Sequence, residues 1–137
     1  MKWKNILLAT VVIAVVHNAL SWLTCGWLFN WMYTDVDPVY VWKAPEEMGV
    51  LGFFIAGFLF SFIFAWVYAF INKGIPGKGV MKGITYGTLI WLTGCFAVMV
   101  SLGLSTVIAP QVLIYWGIGG LVYKMIGGGI LAYIYGE

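Results

Sequence analysis

Four apolar stretches, residues 6–33, 48–72, 84–105 and 112–135, take up almost all of this 137-residue chain. Each meets or exceeds the ~20 residues that an α-helix needs to cross a hydrocarbon core of ~30 Å. In lipid only helices and closed barrels satisfy their own backbone, and the period-two alternation of barrel strands is absent. The chain therefore reads as all-α, a four-helix transmembrane bundle in a single domain over residues 1–137.

Composition narrows the partners. A chain that is 63% hydrophobic and 9% charged lies outside the range of soluble domains, so its first partner is the lipid bilayer. Every basic residue is Lys, and without Arg forks or a basic surface a nucleic-acid partner is not expected. Cys25 and Cys95 lie inside apolar stretches with no CxxC spacing and no neighbouring His, which suits small apolar packers rather than a disulfide or a metal site. No sequence signal points to a nucleotide, flavin, haem or metal cofactor.

Lys2 and Lys4 before an apolar run give the N-terminus the look of a signal peptide. The run continues past His17, Trp22 and Trp27 without a small-residue cleavage site, so it is expected to remain as the first span. Lys73, Lys78 and Lys82 crowd the second loop, whereas residues 34–47 hold Asp35, Asp37, Glu46 and Glu47 against Lys43 alone. By the positive-inside rule both termini and the Lys loop are cytoplasmic, in a multi-pass protein of a prokaryotic plasma (inner) membrane. Trp27, Trp31, Tyr33, Tyr40, Trp42, Tyr115 and Trp116 then form the outer aromatic belt, and Trp3, Trp66, Tyr68, Tyr133 and Tyr135 lie nearer the inner one.

The second helix should open on Pro45 at its first position, with Glu46 and Glu47 meeting the positive end of the helix dipole, and close on Asn72, Lys73 and Gly74. The Ala-Pro entry recurs at Ala109-Pro110, and a 65-residue offset also places Gly52 on Gly117 and Tyr68 on Tyr133. That pattern suggests two hairpins related as an internal repeat. The loop KGIPGKGVMKG lacks the GxxxxGK[ST] order of a phosphate loop and reads as a basic, lipid-facing segment. Gly83 and Gly87, the glycines of 117–129, and Gly52, Ala56 and Gly57 are the small residues that let lipid-embedded helices approach closely, within a monomer or between copies.

Lys124 falls about halfway along the fourth span, where an ammonium costs ~2.5–3.5 kcal/mol unless it meets a partner or a cavity. Counting from the cytoplasmic ends puts His17, Ser61 and Cys95 in the same layer, one from each other helix. His17, Ser21 and Thr24 share one face of the first helix, with Asn18 and Cys25 beside it. The four residues His17, Ser61, Cys95 and Lys124 form the candidate midplane polar site. They would serve either as a path for a proton or small polar solute or as a buried network that fixes helix pairing. Catalysis by a Cys95–His17 pair would need an oriented base that depth alone does not supply.

The succession of His17 to Trp31, Trp42 to Met48, Lys78-Gly79 through Gly83-Ile84-Thr85-Tyr86-Gly87, and Gly117 to Gly136 resembles a group of small uncharacterised four-span prokaryotic integral membrane proteins. The resemblance implies the same four-span bundle and carries no activity or site. The functional expectation is a non-enzymatic accessory or assembly subunit, as a homo-oligomer or within a larger membrane complex. The alternative is a small transporter or channel with the midplane polar site in its path.

Overall fold

The computed structural model describes residues 2–35, 43, 47 and 49–136, all of it helix and turn without a strand among them. Helix α1 (Trp3–Leu23) widens into one π-helical turn, Thr24–Leu28, and a short α2 (Trp31–Thr34) follows. Helix α3 (Val50–Ile71) closes in a 3-10 turn, Asn72–Gly74. Helix α4 (Gly79–Ile90) continues through a π-helical stretch, Trp91–Phe96, into α5 (Ala97–Ser105). Helix α6 (Pro110–Tyr135) is unbroken.

Four of these rods are long and apolar enough to cross a membrane: Trp3–Leu28, Val50–Gly74, Gly79–Ser105 and Pro110–Tyr135. The third span starts five residues before the apolar stretch does and takes Lys82 into its first turn.

The helix ends show how sequence sets the boundaries. Pro110 stands at the start of α6 behind an extended Ala109, where its missing N–H costs nothing. The other end closes on Gly136 in the left-handed conformation (φ 81°), whose N–H returns to the carbonyls of Ala132 and Tyr133. Two more donors come from the start of the chain, Lys2 Nζ on the Tyr135 carbonyl (2.9 Å) and Asn5 Nδ2 on that of Ile134 (2.8 Å). These bonds hold the two described ends of the chain side by side. Asn5→Ala is expected to cost about 1 kcal/mol and to speed amide exchange selectively in the last turn of α6.

The second helix departs from expectation at both ends. Pro45 and Glu46 lie outside the described residues, Glu47 is exposed, and α3 begins only at Val50, with Gly49 in the cap position and no side-chain cap. At the other end the left-handed residues are Gly77 and Gly79 rather than Gly74. Asn72 removes the need for a left-handed residue there, because its side-chain amide donates to the carbonyls of Tyr68 and Ala69, both at 3.0 Å. Ala44 and Pro45, one half of the repeated Ala-Pro entry, also fall outside the described residues.

The first two spans pack as one hairpin, the last two as another, and α1 against α6 joins them. The second hairpin is held backbone to backbone. A methyl group built on Gly83 would overlap the Gly128 carbonyl, one on Gly87 the Lys124 carbonyl, and one on Gly128 the Gly83 carbonyl. Close approach of this kind replaces the hydrophobic force that lipid does not provide.

Packing is uneven along the bundle axis. A core of Ile6, Ala9, Ile13, Phe64, Ala65, Tyr68, Tyr86, Leu131 and Ala132 fills the end that carries both termini. At the opposite end Met32, Val112 and Leu113 are buried. Between these two zones, no residue of 15–28, 50–60, 88–105 or 114–126 is buried. That loosely packed layer is where most of the chain's mid-span polar side chains lie.

Candidate functional site

The polar face of α1 meets α6 in this layer. His17 Nε2 lies 2.8 Å from the Tyr123 carbonyl, and since a carbonyl only accepts, the proton is on Nε2. Gly127 makes the approach possible, because a Cβ there would stand 2.8 Å from His17 Nε2. One and two turns further along α1, the Leu20 carbonyl accepts from Thr24 Oγ1 (2.8 Å) and Tyr123 Oη (3.3 Å), and those two hydroxyls are bonded to each other. Cys25 Sγ accepts from Thr24 Oγ1 at 3.8 Å, and Tyr33 Oη accepts from Trp116 Nε1 at 3.0 Å. Asn18 faces the other way and closes on Gly57 of α3, 2.6 Å from where a Cβ would stand.

Lys124 is held apart from this hydrogen-bonded chain. Its ammonium stands over the ring of Phe64, 5.0 Å from the centroid, and both His17 and Cys95 are near enough to interact with its charge. Among the described residues it has no hydrogen bond and no carboxylate within ion-pair distance. An aromatic face offsets ~0.5–2 kcal/mol of an ammonium's cost, against ~2.5–3.5 kcal/mol for placing it at mid-bilayer. The ring alone does not balance the charge. Water, an anion or loss of the proton makes up the rest.

Two of the other three candidate residues, His17 and Cys95, thus each come within electrostatic reach of Lys124. Ser61 is buried one turn before Phe64, with no hydrogen bond to the other three. Cys95 lies in the π-helical stretch of the third span and Cys25 in that of the first, and both thiols are free. Widened turns of this type recur at functional sites.

Sequence reasoning did not single out Phe64, Tyr123 or Trp91. Phe64 and Tyr123 are ordinary residues in an apolar helix, and only the fold shows one beneath a cation and the other bonded twice to α1. Trp91 donates to the Gly117 carbonyl at 2.9 Å, and Gly120 leaves room for its ring.

No family model, curated protein or solved structure matches the chain. Among the described residues no group of His, Cys, Asp or Glu is arranged to hold a metal ion. An open groove of about 550 Å³ runs along α6 between Val12 of α1 and Val80 and Ile84 of α4, and its lining is apolar. Lys124 is not among the residues that line it.

Proposed function

We propose that this chain is a non-enzymatic, multi-pass subunit of a prokaryotic plasma membrane, with both termini cytoplasmic, that works by associating with other membrane helices as a homo-oligomer or in a larger complex. One observation carries the reading: residues 50–60 of α3 contain no buried position, yet they present Gly52 and Ala56 one turn apart, with nothing within 4 Å of where a Gly52 Cβ would stand. Exposed apolar side chains alone would only mean lipid. A small-xxx-small pair with no internal partner is the kind of surface on which lipid-embedded helices pair. Gly83, Gly87 and Gly128 are committed to the intramolecular crossing, so they are not the surface for a partner.

Gly52→Leu is expected to turn the species found by cross-linking in lipid nanodiscs into monomer, while the monomer's unfolding changes by less than about 0.5 kcal/mol. A parent protein that is already monomeric and captures no partner, or a variant that associates as the parent does, would overturn this reading.

A second reading, a small transporter or channel with a midplane polar site, draws support from the unbalanced Lys124 charge in a loosely packed layer. The two readings are compatible in one oligomeric protein.

A further inference from the structure

We propose that Lys124 is the anchor of a binding site for a small monovalent anionic group, an inorganic anion or the carboxylate of a small solute, entered from the outer side of the membrane. The proposal deepens the transporter reading and is independent of the association reading. Its first support is what surrounds the ammonium. The second span contributes the ring of Phe64, 5.0 Å away at its centroid, and the first and third spans bring His17 and Cys95 within reach of its charge. None of these is a fixed anion: the imidazole already donates to a carbonyl, and the ring offers only its face. A cation presented inside the bundle without a carboxylate among the described residues is complementary to a ligand that brings its own negative charge.

The second support is access. On the side of the termini the site is closed by the core of Ile13, Phe64, Ala65, Tyr68, Tyr86 and Leu131. Towards the other end no residue of the four spans is buried until Met32, Val112 and Leu113. Polar side chains lie along that part of the bundle, with Thr24 and Tyr123 followed by Cys25, Tyr33 and Trp116. An ion reaching Lys124 from the outer side meets hydroxyls and an indole N–H. From the cytoplasmic side it meets packed hydrocarbon. The arrangement is a one-sided site rather than a continuous pore.

Cys95 reports on this, because it is the thiol within electrostatic reach of Lys124. In full-length protein carrying Cys25→Ser, reconstituted with known orientation, Cys95 is labelled from either side with sulfonate-bearing or ammonium-bearing methanethiosulfonate, each rate normalised to a free thiol. From the outer side the anionic reagent should lead by roughly tenfold, as a focused positive field in a cleft provides. The preference should persist in Lys124→Arg and fall to parity in Lys124→Met. With Lys124 intact, thiocyanate at constant ionic strength should slow the anionic reagent saturably, a result that needs no second variant to fold. An equal preference in Lys124→Met, non-saturable protection, or labelling only from the cytoplasmic side would overturn the proposal. Labelling from outside with no charge preference removes the anion site but leaves a polar path, whereas no labelling from either side removes both.

Discussion

Gly83→Ala and Gly128→Ala, each adding a single methyl group, are expected to be the most damaging small substitutions in this chain. At both positions the new carbon would be driven into a backbone carbonyl of the opposing helix rather than into a side chain that could turn away. The two helices would have to separate, and that separation would break the whole α4–α6 face. Overpacking in a core costs ~1–3 kcal/mol where side chains can adjust, so a clash between backbones should reach or exceed the upper end. Reversible unfolding in mixed micelles would measure it, with Gly119→Ala and Gly94→Ala as controls, since a Cβ at either meets nothing within 4 Å. Loss of comparable stability in the controls would mean that helix propensity or lipid contact, not the crossing, sets these values.

Tyr86 is the second position where a large effect is expected. Its side chain is fully buried, with ring centroids 4.7 Å from Phe64 and 5.1 Å from Tyr68, and its hydroxyl donates to the Phe64 carbonyl at 2.7 Å. It is thus the link between α4 and α3, two helices that otherwise touch little. Tyr86→Ala should cost about 3–5 kcal/mol, as for other large aromatic truncations. Tyr86→Phe keeps the packing and should cost about 1 kcal/mol, because the Phe64 carbonyl retains its place in the helix ladder. Phe64 also lies beneath Lys124, so Tyr86→Ala should in addition loosen the ring that faces the ammonium. If Tyr86→Phe proved as costly as Tyr86→Ala, the hydrogen bond rather than the ring contacts would be holding the two helices together.

The four spans were legible in the sequence because hydrocarbon thickness imposes a length and lipid forbids most residue types; 112–135 was read to within two residues, whereas the third span begins five residues before 84, where Lys82 and its neighbouring glycines hide the helix start. The Lys124 layer was legible for a related reason: an ammonium halfway along an apolar span stands out, and counting from the Lys-marked ends places His17 and Cys95 beside it. What could not be read was anything set by rotation about a helix axis. Nothing in the order of residues says that Gly83 and Gly87 face Gly128 within the chain rather than a second copy. Nor does it show that Phe64, among the seven phenylalanines of α3, is the one under the cation. Asn5 and Asn72 were missed as helix-end donors because carbonyl caps come from whatever amide the fold brings near, and the first of these arrives from the far end of the chain.

The wide stretch Trp91–Phe96 bears on this same question of rotation. Beyond Ile90 the partly shielded positions of the third span are 91, 95, 99 and 102, and the wider turn over Trp91–Phe96 rotates the chain by less than the ~100° per residue of an α-helix. An unbroken α-helix continuing from Gly87 would have carried Gly94 to within about 20° of the Gly87 direction and left Cys95 about 80° from it. The stretch works as a phase shifter, delaying the helix by the fraction of a turn that exchanges a hydrogen atom for a sulfur beside Lys124. One residue fewer between Ile90 and Ala97 would leave the length and hydropathy of the span nearly untouched, and would change which atom the charge at its centre meets.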